Sequence, residues 1–273
     1  MRLNANGLDF NIRDSGSGTP VIMLHGFPDT GDLWRNQVPV LNAAGFRTIV
    51  PDMRGRGQTQ RPAEVADYAL TNMVEDVTGI LDALGIEKAH VVGHDWGAAV
   101  AWLVAALAPQ RVDRLVAISV GFPGASGPPD LEALQKMWYR ILIGFPEAEE
   151  LFQRSDWYLL RQLFQGGGDS EAALAVLSEP GALTAGFNWY RANLPIGRII
   201  AAAGQAPRLP PVQASTLGIW SSEDVALTEK AMTESSKFVT GSWRYERLEG
   251  IGHWIPVDAP ARLNELLLEF LAA

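Results

Sequence analysis

The most constraining feature of this sequence is the stretch Ala89–Trp102, which reads AHVVGHDWGAAVAW. Its first residues are typical of a buried strand, and its last residues are small and apolar, as in a closely packed helix. Between them lies the turn Gly93–Gly97 (GHDWG), whose glycines permit unusual backbone angles and close approach of the helix to the strand. A strand, turn and helix in this order present the central side chain, Asp95, at the carboxyl end of a strand.

A carboxylate at this position restricts the chemistry that the turn can carry out. Attack by Asp95 on an ester or amide carbonyl would give a high-energy anhydride, whereas attack on a saturated carbon gives an ester that water can cleave. Asp95 therefore predicts the opening of a carbon–oxygen or carbon–halogen bond. An Asp between glycines can also serve only as a turn residue, so the prediction depends on partners elsewhere in the chain.

Strand and helix patterns alternate around this stretch. Leu8–Arg13 alternates apolar and polar residues, whereas the continuous apolar run Val21–Leu24 is typical of a strand covered on both faces. Phe46–Val50 and Val112–Ile118 are predicted as further strands. Helices are predicted over about residues 31–43, 68–84, 96–108 and 261–271, and later strands over 215–220 and 243–248. The sequence predicts an α/β fold with a mostly parallel sheet flanked by helices.

The alternation is interrupted in the middle of the chain. Pro/Gly clusters at residues 121–129 and 207–211 bracket a segment that is rich in Trp and Tyr and has a helical pattern without a convincing strand. We therefore expect a helical cap over residues 126–210, inserted into a core domain made of residues 1–125 and 211–273.

Composition excludes several classes of function. The net charge of −9 and the isoelectric point of about 5.0 argue against nucleic acid or an anionic membrane surface as a partner. The chain has no cysteine, and no metal cluster or dinucleotide motif is present, so no cofactor is expected. No signal-peptide pattern or apolar run of about 18 residues occurs, and a soluble cytoplasmic protein is expected. The sequence assigns no oligomeric state.

Partners for Asp95 are expected just after other strands, because ligands bind beyond the carboxyl ends of an open α/β sheet. Asp224 and its neighbour Glu223 follow the strand at 215–220, and His253 follows the strand at 243–248. Nucleophile, acid and histidine then occur in the order expected for this kind of turn. The remaining histidines lie in turns or at the start of a strand (His25, His94 and His90).

Three motifs together resemble the α/β-hydrolase family. His25–Pro28 (HGFP) resembles its oxyanion-hole turn, Pro51–Gly57 (PDMRGRG) its glycine-rich loop, and Gly93–Gly97 its nucleophile elbow. The resemblance covers nearly the whole chain and is closest to the branch with an Asp nucleophile, which contains epoxide hydrolases and haloalkane or haloacetate dehalogenases.

The resemblance implies a role for each of these residues. Asp95 is the nucleophile, His253 the base that activates water, and Asp224, which matches the family's acid better than Glu223, orients the histidine. The backbone N–H groups of Phe27 and Trp96 form the oxyanion hole.

The leaving group distinguishes the possible enzymes. An epoxide oxygen needs a proton donor, whereas a halide needs only weak N–H donors. The segment FNWYRAN resembles the cap segment with one epoxide-protonating tyrosine and implicates Tyr190, and MWYR resembles the site of the second, Tyr139. The sequence GFPE after Tyr139 departs from the family's pattern, and Tyr139 and Trp138 also fit a helix core. Three tryptophans are candidate substrate-binding residues (Trp96, Trp138 and Trp189).

These observations predict an epoxide hydrolase that takes a small apolar substrate and water. The alternative is a haloalkane or haloacetate dehalogenase with the same Asp95, His253 and Asp224. Haloacetate dehalogenases tend to have an Arg after the nucleophile, which this sequence lacks. A non-catalytic protein of the same fold, similar to a hormone receptor, is a third class, and the intact set of three residues argues against it.

Overall fold

A computed structural model describes residues 1–125, 127, 129–194 and 209–273. Eight strands in these residues form one sheet: β1 (Arg2–Ala5), β2 (Leu8–Gly16), β3 (Thr19–Leu24), β4 (Phe46–Pro51), β5 (Ala89–His94), β6 (Val112–Ile118), β7 (Ser215–Glu223) and β8 (Trp243–Gly252). Their spatial order is β1-β2-β4-β3-β5-β6-β7-β8. β2 is antiparallel to β1 and β4, and every other neighbouring pair is parallel. The predicted mostly parallel sheet is confirmed.

Helices pack on this sheet and form the core with it. Before β6 lie α1 (Val38–Ala43), α2 (Leu70–Ala83) and α3 (Trp96–Leu107), and after β7 lie helices at Glu229–Glu234, Ile255–Asp258 and Pro260–Leu271. α3 contacts β3, β5 and β6. Every residue of β5 is buried, including His90 and His94, because both faces of the sheet are covered there.

Between β6 and β7 the described residues form helices and no strand. These helices, called the helical insertion below, are α4 (Leu131–Lys136), α5 (Trp138–Ile143), α6 (Ala148–Leu163), α7 (Ser170–Leu177) and α8 (Ala182–Asn193). A left-handed turn at residues 155–157 interrupts α6. Parts of the predicted cap, residues 126, 128 and 195–208, lie outside the described residues.

Some local features differ from the sequence-based expectations. The helix expected over about residues 31–43 is divided into a 3-10 turn, Gly31–Trp34, and α1. The residues between them form a turn in which the N–H of Gln37 donates to the carbonyl of Trp34 at 3.0 Å, and the buried Gln37 side chain donates to the carbonyl of Pro256 at 3.0 Å. β1 was not predicted, because four residues are too few to show an alternating pattern. No helix in the described ranges is long and apolar enough to cross a bilayer.

Candidate active site

The turn after β5 fixes the position of Asp95. This residue has φ 53° and ψ −124°, a strained backbone conformation for an L-residue. The neighbouring glycines make the turn possible, because a Cβ atom on Gly93 would overlap the carbonyl of Gly97, and one on Gly97 would overlap the carbonyl of Leu24. The packed backbone therefore holds the Asp95 side chain in place before a substrate binds.

Backbone N–H groups surround the Asp95 carboxylate. Its Oδ1 accepts a hydrogen bond from the N–H of Phe27 at 2.9 Å. Gly26 allows this approach, since a Cβ there would overlap the carboxylate. Burial raises the pKa of Asp95, and the charge of His253 and the N–H groups of Trp96 and Phe27 oppose that increase. Both predicted oxyanion-hole residues thus direct their N–H groups toward Asp95.

His253 directly follows β8 and contacts a second carboxylate. Its Nδ1 lies 2.9 Å from Oδ2 of Asp224. The other oxygen of Asp224 accepts hydrogen bonds from the N–H groups of Ala226 at 2.8 Å and Leu227 at 2.9 Å. Glu223 is exposed to solvent. Of the two acids at the carboxyl end of β7, Asp224 is therefore the one that contacts His253.

The second ring nitrogen of His253 faces Asp95. The distance from Nε2 to Oδ2 of Asp95 is 3.8 Å. Burial alone would lower the pKa of His253, but the charge and hydrogen bond of Asp224 and the charge of Asp95 raise it to about 9. The negative charge of Asp95 therefore helps to keep a proton on His253.

Two other histidines support the backbone of the site. His94 donates from Nε2 to the carbonyl of His253 at 2.9 Å. His25 donates from Nδ1 to the carbonyl of Gly26 at 2.8 Å, and its Nε2 accepts from the N–H of Met53 at 2.8 Å. Burial lowers the pKa of His94 to about 3 and that of His25 to about 4. Both rings are therefore neutral hydrogen-bonding groups at neutral pH.

One small cavity brings together residues of the sheet and of the helical insertion. Its volume is about 20 Å³, space for about one water molecule. Asp95, His253, Phe27, Tyr139 and Tyr190 all line it. The two tyrosine rings pack edge to face at 5.8 Å, and each is less than 5% exposed. Burial raises the pKa of both hydroxyls, which keeps them protonated and able to donate.

The three candidate tryptophans lie beside this cavity and are not among the described residues that line it. Trp96 packs edge to face on Tyr190 at 5.0 Å, and Trp138 packs on the next residue's ring at 6.0 Å. Trp189 is fully buried, and its Nε1 donates to the carbonyl of Arg54 at 3.0 Å. Trp189 therefore packs between the helical insertion and the loop after β4.

Two charged residues near the site were not identified from the sequence. Arg140 donates from Nε to the hydroxyl of Tyr139 at 3.2 Å. The sequence feature that could have identified Arg140 is its position as the single charged residue in the otherwise apolar helix α5. Burial raises the pKa of Asp29 to about 7, against a hydrogen bond from Nε1 of Trp254 at 3.2 Å. Asp29 could have been identified from the sequence because it directly follows the HGFP motif.

Comparison with known proteins relates this geometry to a family. Residues 19–156 match the family described as alpha/beta hydrolase fold. An AB hydrolase superfamily protein of Bacillus subtilis, YfhM, is 31% identical, with 98% of this chain and 96% of that protein aligned. The chain therefore belongs to the α/β-hydrolase family.

Other similar proteins place the chain in one branch of that family. Epoxide hydrolase A of Mycobacterium tuberculosis is 30% identical over 98% of this chain and 96% of its own length. The crystal structure of epoxide hydrolase A from Mycobacterium thermoresistibile superimposes with a TM-score of 0.84 at 26% identity, covering 100% of this chain and 98% of that one. The branch is that of the epoxide hydrolases, as the sequence motifs predicted.

Proposed function

We propose that this protein is an epoxide hydrolase, which adds water to an epoxide through a covalent ester on Asp95 and releases a vicinal diol. The observation that carries the proposal is that Tyr139 and Tyr190 line the same cavity as Asp95 and His253. An epoxide oxygen leaves as an alkoxide and needs a proton donor, which a tyrosine hydroxyl supplies. The full-length relatives named epoxide hydrolase support the same activity.

The first half-reaction opens the epoxide. Because Oδ1 of Asp95 is bound to the N–H of Phe27, Oδ2 is the oxygen that attacks the epoxide carbon. A carbon–oxygen bond of the epoxide breaks, and its oxygen takes a proton from Tyr190 or Tyr139. The product is a hydroxyalkyl ester of Asp95 that contains every atom of the substrate.

The second half-reaction cleaves this ester. His253 removes a proton from water, whose oxygen attacks the ester carbonyl carbon of Asp95. The N–H groups of Phe27 and Trp96 hold the negative oxygen that forms there. The bond to the diol oxygen then breaks, that oxygen takes the second proton of the water, and the Asp95 carboxylate is restored. The proton taken from water stays on His253 and replaces the one that the ring gave to the tyrosinate before this step. Asp224 keeps the histidine oriented and stabilises its positive charge.

Halide displacement is the other reaction that an Asp nucleophile could perform here. Halide binding uses N–H donors such as indoles, but two nearby indoles already have acceptors in the described structure. Trp189 donates to the carbonyl of Arg54, and Trp254 donates to Oδ2 of Asp29. The tyrosine hydroxyls that line the cavity therefore suit an epoxide better than a halide.

We propose that the described helices of the insertion belong to the cap predicted over residues 126–210 and cover the site, because Tyr139 and Tyr190 come from these helices, whereas Asp95 and His253 follow strands of the sheet. We also propose a cytoplasmic location, which the absence of cysteine permits.

Product analysis tests the proposed activity. The purified protein is incubated with styrene oxide, 1-chlorobutane and chloroacetate, and diol and chloride are both quantified. Diol formation without chloride release is expected, and Asp95→Ala should abolish it while leaving the melting temperature close to that of the wild type. Chloride release without diol formation would identify a dehalogenase, and diol formation by verified Asp95→Ala protein would exclude Asp95 as the nucleophile.

A further inference from the structure

A second, larger cavity adjoins the proposed catalytic cavity. Its volume is about 250 Å³, and Ala226 lines both spaces. Arg140 lines the larger cavity, while its neighbour Tyr139 lines the smaller one. Arg140 therefore joins the two cavities, because it lines the larger one and its Nε is 3.2 Å from the hydroxyl of Tyr139, which lines the smaller one.

Arg140 differs from the other basic side chains of the helical insertion. In its described residues, Lys136, Arg154, Arg161 and Arg191 each form an ion pair with a carboxylate. Arg140 has no carboxylate within 4.0 Å in the described part of the chain. Residues 126, 128 and 195–208, which lie outside that part, contain no Asp or Glu. The protein thus supplies no carboxylate partner to this partly buried cation.

The hydrogen-bonding capacity of Arg140 is also only partly used. A guanidinium has five N–H donors, and the hydrogen bond to Tyr139 uses the Nε donor. The N–H groups on the two terminal nitrogens have no acceptor among the described residues. Paired terminal N–H groups match the two oxygens of a carboxylate, which makes Arg a suitable residue for binding one.

The other charges around the larger cavity leave it positive. Lys230 lines it and is exposed to solvent. Asp130 also lines it, but its Oδ1 accepts the N–H of Ala133 at 3.0 Å and caps α4. A protein with a net charge of −9 therefore has a local excess of positive charge next to its proposed catalytic site.

We propose that Arg140 binds a carboxylate of the substrate, so that the protein acts on epoxides that carry a carboxylic acid. The inference rests on the proposed epoxide hydrolase function and specifies its substrate class. The oxirane ring reacts at Asp95, and the larger cavity takes the part of the molecule that bears the anion. Arg140 is then a residue that determines specificity, and its charge helps to orient the reacting carbon.

Matched acids and amides test this assignment. The kcat/KM of the wild type is measured for 3-phenyloxirane-2-carboxylate and 9,10-epoxystearate, each against its own carboxamide, with styrene oxide as an uncharged reference. We expect at least one acid to be preferred over its amide by roughly 10- to 150-fold, the range for a hydrogen bond to a charged group. Arg140→Gln should remove this preference, and Arg140→Lys should retain part of it.

A control variant and the reference substrate separate the outcomes. Arg154→Gln removes a cation from the same insertion that is paired with Glu150 on the surface, and it should leave the acid-to-amide ratio unchanged. Hydrolysis of styrene oxide with no preference for either acid would overturn the anion site and leave the proposed function intact. No hydrolysis of any epoxide would overturn the function itself. An acid preference that survives in folded Arg140→Gln protein would exclude Arg140 as the binding residue.

Discussion

The charge of Asp95 couples the two proposed half-reactions through His253. In the free protein, Asp224 and Asp95 raise the pKa of His253 to about 9 against the effect of burial, so the ring is an imidazolium at neutral pH. Formation of an ester neutralises Asp95 and removes one of these negative charges. The pKa of His253 then falls, its proton passes to the tyrosinate that ring opening leaves, and the neutral ring can accept a proton from water.

Titration of the histidine ring by NMR measures this coupling. With ¹⁵N-labelled histidine, Asp95→Asn should lower the pKa of His253 from about 9, and Asp224→Asn should lower it further, since Asp224 raises that pKa most. The buried rings of His94 and His25, with pKa values lowered to about 3 and about 4, should stay neutral above pH 5.5 as internal references. A His253 pKa that is the same in wild type and Asp95→Asn would contradict the coupling.

Tyr190 is expected to act on alkylation and not on folding. Tyr190→Phe should lower the single-turnover rate of epoxide opening by roughly 10²- to 10⁴-fold, the usual effect of removing a general acid. Tyr245→Phe is the matched control, because that hydroxyl donates to Glu229 at 2.8 Å and does not line the catalytic cavity. Unchanged rates in Tyr190→Phe and in Tyr190→Phe combined with Tyr139→Phe would remove both tyrosines from the mechanism.

The strand, turn and helix around Asp95 depend on backbone contacts that tolerate no side chain. α3 begins at Trp96 and immediately passes β3, so that Gly97 lies against the carbonyl of Leu24. Gly79, in α2, is also a helical glycine, but a Cβ atom there would have its nearest neighbour at 3.4 Å, an ordinary contact. Gly97 and Gly79 are thus both helical glycines, but only Gly79 has space for a Cβ atom.

Substitution of these glycines by alanine should change stability in opposite directions. Gly79→Ala should raise the free energy of unfolding by about 0.5–1 kcal/mol through helix propensity. Gly97→Ala should lower it by about 1–3 kcal/mol, because a methyl group is forced into packed backbone. Urea denaturation measures both values. Equal stabilisation by the two substitutions would show that the backbone at Gly97 is not closely packed.

The contact between the helical insertion and the sheet domain also depends on a buried cation. Arg56 is fully buried and donates to the carbonyls of Pro28, Asp29 and Ala182. These bonds join the loop that follows β3 to the first residue of α8, the helix that carries Tyr190. Arg56 thereby connects the loop that holds the N–H of Phe27 with the element that supplies a proposed proton donor.

Much of the fold of the whole molecule could be predicted from local sequence patterns. The buried strand β3 could be predicted because burial on both faces favours a continuous apolar run, here Val21–Leu24, and Asp95 could be predicted because its turn needs glycines. The packing role of Trp189 could not be predicted, because an aromatic residue on a helix fits packing and substrate binding equally well. The sequence also could not show that Arg140 lacks a carboxylate partner, because its neighbours are brought together only in the folded chain.

The covalent ester on Asp95 is the central claim, and a variant that stops after the first half-reaction tests it most directly. His253→Gln, incubated with styrene oxide and digested, should yield a peptide that contains Asp95 and is heavier by the full mass of the epoxide. The full mass is expected because ring opening loses no atoms, and slow hydrolysis should reverse it. An adduct lacking the leaving atom, formed only with haloalkanes and with stoichiometric halide release, would contradict epoxide hydrolysis. Diol formation by His253→Gln protein with no adduct at any time would contradict the covalent mechanism.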